Sequence, residues 1–393
     1  MRIGINFFDL LPGQGRGAGA ETYALQLVRH LASLDRVNQY VLFVNQQNQD
    51  CFGPLPQNFR RHLVWFDSRR KWTRACWEQF QLPLVARRLR LDVLHSPFNT
   101  SPLICPCASV VTLHDLVNFF YRERFPAVDT VKVKYQRWLL KHTLPRAAQV
   151  IADSEFTRQE AVRYLKLSPT QVSVVHLAAS ESPLTESRRS TEDFVLAVAS
   201  DSPHKNLAAL IQSFALAVQE TGTSTRLVLV GMIREKPSPP VVGAVDLRAL
   251  ASRHGVDQQV EVRGFVSAPE LETLYQRCRF LVIPSLYEGF GLPVLEAMTR
   301  GVPVVCAHSG PLPEVAGDGA LWFDPYSPAD MAAKLSQALT RPQLLDSLVE
   351  RGRVRARLFS WERTAQATLT VYEAAARRSD CATQPVEDDQ LED

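Results

Sequence analysis

The sequence predicts an α/β protein with two Rossmann-like, doubly wound domains that face each other across a central cleft. Three observations predict this architecture. The chain has 393 residues, more than the roughly 250–300 at which a single hydrophobic core stops growing. Short apolar runs alternate with amphipathic stretches, which is typical of βαβ units. A polar segment near the middle of the chain separates two such series, so we expect one domain on each side of it.

The first series begins at the N-terminus and predicts a parallel sheet. Its apolar runs are RIGINFF, YVLFVN, VLHS, ASVVTLHD and AQVIADS, which have the length of strands that are buried on both faces. Between the first two runs, a helical pattern extends from Glu21 to Leu34. We therefore assign residues 1–180 to an N-terminal Rossmann-like domain.

A polar stretch then leads into the second series. The segment from Leu177 to Asp193 is rich in Ser, Glu and Thr, and we interpret its residues 181–193 as an interdomain linker. Helical patterns extend over residues 206–218 and 292–299. The apolar runs FVLAVAS, RLVLVG, VEVRGF, RFLVIPS and VPVVCA predict a second doubly wound domain over residues 194–356.

The end of the chain adds a helix and a tail. The stretch FSWERTAQATLTVYEAA is amphipathic, and we expect a C-terminal helix over residues 357–378. Residues 379–393 end in PVEDDQLED and contain little that a core could bury. We therefore expect an acidic, disordered tail.

The composition excludes several classes of protein. A hydrophobic fraction of 46% with 22% charged residues excludes a disordered, collagenous or coiled-coil chain. A net charge of +3 is too small to imply nucleic-acid binding. The seven cysteines form no CxxC pair and no zinc spacing, which favours a reducing compartment and no bound metal. Because neither a leader-like N-terminus nor an apolar stretch of about 18 residues is present, we expect a cytoplasmic protein.

The most informative stretch is Ser285–Gly301, SLYEGFGLPVLEAMTRG. A strand is predicted to end near Pro284, the following turn contains Gly289 and Gly291, and a helix begins near Leu292. The backbone amides at such a helix start, together with the positive end of the helix dipole, bind anions. The stretch therefore predicts an anion site at the carboxyl end of a strand.

Two glutamates flank this turn with the spacing Glu-x7-Glu. Glu288 precedes the turn and Glu296 lies inside the helix, so both carboxylates can point into one crevice. Carboxylates beside a phosphate are suited to accept hydrogen bonds from sugar hydroxyls on either side of a diphosphate. The simpler interpretation makes Glu288 a helix-start charge and Glu296 part of a solvated helix face.

These residues resemble the signature of a known family, the retaining GT-B glycosyltransferases of the group-one, family-four type. The match follows EGFGLPxLEAM position by position from Glu288 to Met298, and the resemblance covers nearly the whole chain. It implies a GT-B fold with an acceptor-side N-terminal domain, a C-terminal domain that binds the nucleotide-sugar donor, and a last helix that returns to the first domain.

The resemblance also implies roles for the residues of this stretch. Glu288 would hold hydroxyls of the donor sugar, and Glu296 would bind the ribose of the nucleotide. The sugar and the diphosphate would contact the turn and the helix start, at Gly289, Phe290, Gly291 and Leu292.

A second element, SDSPHKNL, follows the strand FVLAVAS and opens a helix. A lysine at such a junction is well placed to meet phosphate as a point charge, although a lone lysine is more often a surface charge. Lys205 matches the lysine of the family's PRKN element, which binds the donor diphosphate. Ser200 and His204 stand where many relatives have arginines, so we expect Lys205 and the helix amides to carry more of the diphosphate binding. The predicted donor-binding set also includes Ser200 and Val266, the residue after the strand VEVRGF.

Two elements of the N-terminal half resemble the same family. RGAGAETYALQLVRHL resembles its glycine loop and first helix, and there Gly17 and Gly19 would let the backbone approach the substrates closely. VVTLHDL resembles its strand and loop histidine. His114 would reach across the cleft to the donor sugar, and Asp115 would support the loop. A histidine and an aspartate at a strand end are otherwise a structural hydrogen-bonding pair.

Two further segments have two interpretations each. The run Arg60–Arg90 holds nine Lys or Arg and two acids, with Trp65, Trp72 and Trp77 interleaved, so it could contact anionic lipid at the inner face of a membrane. Packing with solvated charges is the simpler interpretation. Glu314, in SGPLPEVAGDGALWFDP, is either close to the nucleotide crevice or a helix-start charge.

Together these patterns and the resemblance to the family imply a retaining, metal-independent glycosyltransferase that needs no cofactor. It would move a hexose, with mannose the first candidate, from a nucleoside-diphosphate sugar to a saccharide or lipid-linked acceptor. One alternative is a non-catalytic sugar-nucleotide-binding protein on the same fold. An NAD-dependent oxidoreductase is less favoured, because the strand YVLFVNQQ ends in Asn45 and not in an acid. A metal-dependent GT-A enzyme would need an Asp-x-Asp, which the sequence lacks.

Overall fold

Each half of the chain folds around one parallel β-sheet. The structure, a computed structural model, describes residues 1–11, 18–66, 68, 70–179, 192–233 and 245–383. Within these ranges the predicted architecture of two α/β domains is confirmed. No helix in the described part of the chain is sufficiently long and apolar to cross a bilayer.

The first sheet has seven strands in the described residues, and their apolar side chains are mostly buried. The strands are β1 (Arg2–Asn6), β2 (Gln39–Val44), β3 (Phe59–Leu63), β4 (Val93–Ser96), β5 (Ala108–Leu113), β6 (Gln149–Ala152) and β7 (Val172–Val174). They are ordered β3-β2-β1-β4-β5-β6-β7, and all neighbours are parallel.

Helices lie in four of the six connections between these strands, and the connections from β2 to β3 and from β4 to β5, which the structure describes throughout, contain none. The helices are α1 (Ala18–Leu34), α2 (Lys71–Cys76), α3 (Leu82–Arg88), α4 (Val117–Arg124), α5 (Val131–Thr143) and α6 (Glu155–Leu165). A π-helical turn, Trp77–Gln81, joins α2 to α3, and short 3₁₀ turns lie at Pro126–Val128, Leu144–Arg146 and Pro169–Gln171.

The second sheet has six parallel strands in the described residues, ordered β10-β9-β8-β11-β12-β13. These are β8 (Phe194–Val198), β9 (Arg226–Val230), β10 (Val260–Gly264), β11 (Phe280–Ile283), β12 (Val304–Ala307) and β13 (Ala320–Phe323). The helices that follow are α7 (Leu207–Thr221), α8 (Leu247–Arg253), α9 (Ala268–Arg277), α10 (Leu292–Thr299), α11 (Leu312–Ala316), α12 (Pro328–Thr340), α13 (Pro342–Ala356) and α14 (Trp361–Thr383), with a 3₁₀ turn at Pro203–Lys205.

Hydroxyl side chains begin several of these helices. Thr130, Ser154, Ser267 and Ser327 each accept a hydrogen bond from the backbone amide three residues later. Each of them satisfies one of the amides that a helix start leaves without an intrahelical partner. The helix boundaries of α5, α6, α9 and α12 therefore follow directly from the sequence.

The structure changes some of the predicted limits. α14 runs from Trp361 to Thr383, so residues 379–383 extend the helix and do not belong to a disordered tail. Leu177 and Ala178, at the start of the polar segment, are buried in the core. Residues 181–191 and 384–393, which hold most of the predicted linker and tail, lie outside the described residues.

The last helix, α14, packs on the first domain although it follows the second domain in the chain. It contacts α1, β5 and β6. Its Tyr372 hydroxyl hydrogen-bonds to Nδ1 of His95 in β4 at 2.7 Å. Nε2 of His95 and the Tyr23 hydroxyl both bond to the Thr112 hydroxyl of β5, at 2.8 and 2.9 Å. This buried chain of hydrogen bonds ties α14 to the sheet of the first domain.

Buried His95 predicts how stability depends on pH. Burial, together with the nearby charge of His114, lowers the pKa of His95 to about 3, whereas a histidine in an unfolded chain has a pKa of about 6.5. Between these values only the unfolded chain binds the proton. The free energy of unfolding should therefore fall as the pH falls below about 6.5, by up to roughly 1.4 kcal/mol per pH unit from this residue.

Urea unfolding of the wild-type protein and of His95→Gln, each at pH 7 and pH 5, checks this expectation. The variant should lose less stability between the two pH values than the wild-type protein does, even if the substitution lowers its stability at both. Equal losses would contradict the assignment of a neutral, buried His95.

Candidate active site

The candidate site lies at the carboxyl ends of two neighbouring strands of the second sheet. β8 and β11 are neighbours in the sheet. After β8 the chain continues to β9 on one side, and after β11 it continues to β12 on the other side. In open α/β sheets, ligands bind at such a switch point. A backbone hydrogen bond of 2.7 Å from Leu286 N to His204 O joins the loops that follow β8 and β11.

Lys205 and Glu288 form an ion pair at this switch point. The Lys205 ammonium donates to both carboxylate oxygens of Glu288 at 2.7 Å, and the two side chains are 20% and 14% exposed. Asn206 fixes the loop, because its left-handed backbone ends the 3₁₀ turn before α7 and its amide donates to Pro284 O at 3.2 Å. The structure therefore brings together two residues that the sequence assigns to one site.

The pair combines a cation with hydrogen-bond acceptors. Because both side chains are mostly buried, water screens their charges less than it would at the surface. Lys205 can offset part of the charge of a diphosphate, as a compact ammonium does. The Glu288 carboxylate, once released by the lysine, can accept hydrogen bonds from hydroxyl groups.

Two glycines shape the turn between Glu288 and α10. A Cβ at Gly289 would lie 1.9 Å from the main-chain oxygen of His114, so only glycine fits against this loop of the first domain. Gly291 has a left-handed φ of 106°, and a Cβ there would lie 2.7 Å from Leu312. α10 then begins at Leu292. The amides of its first turn carry the positive end of the helix dipole, which favours an anion there.

Glu296 lies within α10, and its carboxylate is held by Tyr275. Burial raises the pKa of Glu296, while nearby Arg300 and a hydrogen bond from the Tyr275 hydroxyl at 3.0 Å favour the charged form. Arg300 is held in turn by Glu272 at 2.7 Å. The carboxylate therefore has a fixed direction, as an acceptor for hydroxyl groups requires.

His114 follows β5 and forms its ring hydrogen bonds inside the first domain. Nδ1 donates to the Asp153 carboxylate at 2.7 Å, and Nε2 donates to Pro97 O at 2.8 Å. Both partners are acceptors, so the ring carries two protons. Burial opposes the charge, but Asp153 raises the pKa of His114 above its ordinary value. The main-chain oxygen of His114 contacts the second domain at Gly289, and the reach of its ring to a donor sugar stays a prediction.

The other predicted site residues lie at separate places in the structure. Gly19, near the start of α1, faces the donor turn, since a Cβ there would lie 3.2 Å from Cδ1 of Leu292. The Ser200 hydroxyl donates to Ser202 at 3.0 Å in the loop after β8. Val266 follows the edge strand β10 and packs against the hydrophobic core, so its ligand contact stays a prediction. Gly17 lies outside the described residues.

Aromatic side chains join the two domains beside the site. The Tyr121 hydroxyl of α4 hydrogen-bonds to Nδ1 of His204, and burial lowers the pKa of His204 well below its ordinary value. The Tyr287 hydroxyl accepts a hydrogen bond from Leu116 N at 3.0 Å, and the Tyr287 ring packs on Phe120. Tyr121 and Tyr287 were missed by the sequence analysis, because a single tyrosine at an interdomain contact cannot be distinguished by sequence from a tyrosine in the core of one domain.

Glu314 binds the start of α6 across the domain boundary. Its carboxylate accepts hydrogen bonds from Glu155 N at 2.9 and 3.0 Å and from Nε2 of His176 at 2.6 Å. Burial opposes ionisation, but these hydrogen bonds lower the pKa of Glu314 below its ordinary value. Of the two interpretations from the sequence, the structure favours a helix-start charge, although the helix is α6 of the other domain.

Sequence models of two families match the two halves of the chain. Residues 17–179 match Glycosyltransferase Family 4, and residues 182–355 match Glycosyl transferases group 1. O-antigen chain mannosyltransferase B of Escherichia coli is 30% identical over 275 residues, which are 67% of this chain and 70% of that protein. The chain belongs to the group-1, family-4 glycosyltransferases. The predicted family is therefore confirmed.

Further comparisons agree with this family. Serotype-specific mannosyltransferase WbdA of Escherichia coli is 27% identical over 277 residues, which are 67% of this chain but 33% of that longer protein. Sucrose-phosphate synthase from Thermosynechococcus elongatus superimposes with a TM-score of 0.72 and 19% identity over 98% of this chain and 100% of that chain. WaaG, a glycosyltransferase involved in lipopolysaccharide biosynthesis, has a TM-score of 0.68 and 15% identity over the same shares. The glycosyltransferase has the GT-B fold.

In this glycosyltransferase, the two glutamates should contribute to different steps. We expect Glu296→Gln to weaken nucleotide binding roughly ten- to hundredfold, because a neutral amide replaces a charged acceptor. Glu288→Gln should chiefly lower kcat, because its carboxylate is predicted to hold the reacting sugar. Nucleotide calorimetry and steady-state transfer kinetics separate the two effects, with exposed Glu362→Gln as control. Near-wild-type transfer in both variants would contradict the assignment.

The contact at Gly289 should be intolerant of a single methyl group. A Cβ in Gly289→Ala would collide with the His114 carbonyl, so the two domains should separate there, and transfer should fall at least a hundredfold. The matched control is Gly255→Ala, whose Cβ would meet open space and which has only the strain of a positive φ. Transfer assays and solution scattering check this. A Gly289→Ala protein with normal activity and an unchanged radius of gyration would show that the contact is dispensable.

Proposed function

We propose that this glycosyltransferase moves a hexose from a nucleoside-diphosphate sugar to a saccharide or lipid-linked saccharide acceptor, with retention at the anomeric carbon. The product would serve the synthesis of a polysaccharide or glycoconjugate. The observation that carries the proposal is the Lys205–Glu288 pair, which lies beside the start of α10. It places a cation, the positive end of a helix dipole and a hydroxyl acceptor where a diphosphate joined to a sugar needs all three.

Charge stabilisation of the leaving group needs no metal in this proposal. Negative charge develops on the departing diphosphate, and both Lys205 and the amides at the start of α10 can offset it. Within the described residues, no three His, Cys, Asp or Glu side chains are grouped as ligands for a metal ion. No cofactor is proposed, because the nucleoside-diphosphate sugar is a substrate.

The transfer step needs no separate general base to accept the proton of the acceptor hydroxyl. The bond between the anomeric carbon and the diphosphate oxygen breaks, and the acceptor oxygen bonds to the same face of the sugar. The departing phosphate oxygen takes the proton of the acceptor hydroxyl. The chain's own residues hold the sugar through Glu288 and the nucleotide through Glu296, and the His114 loop forms the wall on the side of the first domain.

The names of the relatives favour mannose as the transferred sugar. O-antigen chain mannosyltransferase B, WbdA and the MMP α-(1→4)-mannosyltransferase of Mycolicibacterium hassiacum are all mannosyltransferases by name. GDP-mannose is therefore the first donor to test, against UDP-glucose, UDP-galactose, UDP-N-acetylglucosamine and ADP-glucose. Nucleotide release identifies the donor, and the coupling constant of the anomeric proton in the product reports retention. A donor that binds but never turns over would instead indicate a non-catalytic nucleotide-sugar-binding protein.

Lys205→Met should lower kcat/KM for the donor about 10²- to 10³-fold, because an ammonium that meets developing negative charge is lost. The exposed Lys132→Met is the matched control and should have no effect. EDTA should leave wild-type activity unchanged. Activity that disappears in EDTA and returns with Mg²⁺ or Mn²⁺ would overturn the metal-independent mechanism, and a fully active Lys205→Met would remove the lysine from it.

A further inference from the structure

Residues 71–88 form one continuous helix with two different faces. α2, the π-helical turn and α3 follow each other without a break. Trp77 is only 4% exposed, and Leu82 and Ala86 are fully buried beneath the helix. On the opposite side, Trp72, Phe80 and Leu84 are 65%, 69% and 65% exposed. Large apolar side chains are seldom grouped at the surface without a partner.

The π-helical turn explains how these side chains come to share a face. Residues eight apart in a regular α-helix, such as Trp72 and Phe80, are rotated from each other by about 80°. The wider π turn between them removes most of this rotation. The same turn directs Trp77 inward, where its indole N–H donates to Asn6 Oδ1 at 3.3 Å.

The charged side chains of this helix are mostly positive. Residues 71–88 contain four Lys or Arg and a single carboxylate, Glu78. Burial and neighbouring Asp9 raise the pKa of Glu78 to about 8, so it contributes little negative charge near neutral pH. Arg87 and Arg88 are exposed in the last turn of α3. We call Trp72, Phe80, Leu84, Arg87 and Arg88 the outer face of the helix.

We propose that the outer face docks this glycosyltransferase on an anionic phospholipid surface. An apolar stripe with aromatic side chains and arginines, and without carboxylates, is the pattern of a helix that lies in the headgroup region of a bilayer. The apolar side chains enter the boundary of the acyl chains, and the arginines meet lipid phosphates. This commits the face to lipid and not to a second copy of the chain, since a second copy would bring the same positive charges.

The position of the helix relates the docking to the site. Trp77 anchors the inner side of the helix to Asn6, the last residue of β1. In a parallel sheet, the carboxyl ends of all strands lie at one edge, so the helix covers the edge where the His114 loop follows β5. A docked helix would hold that edge close to a lipid-linked saccharide. This role of the docking rests on the proposed function.

Sedimentation with vesicles tests the proposal on the full chain. The probes are vesicles of phosphatidylcholine alone and of phosphatidylcholine mixed with phosphatidylglycerol. The wild-type protein should sediment with the mixed vesicles and far less with the neutral ones. Trp72→Ser combined with Phe80→Ser should weaken binding at least tenfold. Arg87→Gln combined with Arg88→Gln should weaken it roughly 25-fold, at about fivefold per charge, and should reduce its sensitivity to salt.

Controls keep the test decisive. Val354→Ser removes an equally exposed apolar residue from the second domain and should bind as the wild type does. Thermal unfolding of each variant shows whether it folds. The proposal is overturned if the wild type binds neither vesicle, or if both double variants bind normally. It is also overturned if light scattering shows that the wild type is a dimer and the Trp72/Phe80 double variant is a monomer, while the variant binds vesicles as the wild type does.

Donor turnover separates this proposal from the proposed function. With a water-soluble saccharide acceptor, the outer-face variants should turn over the donor at the wild-type rate, because none of these residues belongs to the site. If the wild type binds mixed vesicles but turns over no nucleotide sugar, the docking stands and the proposed function fails. If the wild type turns over the donor but binds neither kind of vesicle, the proposed function stands and the docking fails.

Discussion

The geometry of the site depends on the close backbone contact at Gly289. A Cβ at this position would lie 1.9 Å from the His114 carbonyl oxygen, and the Gly289 carbonyl accepts hydrogen bonds from the hydroxyls of Ser154 and Thr157 at 2.8 and 3.0 Å. The His114 loop and the start of α6 therefore meet the second domain at one residue without a side chain. Because Gly289 directly follows Glu288 and precedes α10, this contact determines where the carboxylate and the helix start lie relative to the first domain.

Two ion pairs near this contact are already formed in the protein alone. Lys205 neutralises Glu288 within the second domain, and Asp153 holds the charged ring of His114 within the first. A diphosphate that takes the ammonium of Lys205 leaves Glu288 in need of new partners, because a mostly buried carboxylate without hydrogen bonds is unfavourable. The hydroxyls of a sugar attached to that diphosphate can supply them. In the proposed function, the ion pair would therefore couple recognition of the diphosphate to recognition of the sugar.

Much of the fold and part of the site could be predicted, because the informative patterns are local. The spacing from Glu288 to Glu296 lies within a single strand-turn-helix unit, and Lys205 lies at one strand-to-helix junction. The contacts of Tyr121 with His204, and of Glu314 with α6, could not be predicted, since they depend on how two separate domains are placed. The π turn hid another feature. It breaks the helical period, so the sequence alone could not separate the buried Trp77 from the exposed Trp72.

The most direct test of the account is a crystal structure with a donor analogue that cannot be cleaved, such as a phosphonate analogue of GDP-mannose. We expect the β-phosphate to lie within hydrogen-bond distance of the Lys205 ammonium and the amides at the start of α10. The Glu288 carboxylate should have exchanged the lysine for sugar hydroxyls. Phosphates bound elsewhere, with the Lys205–Glu288 pair intact at its 2.7 Å distance, would contradict the account.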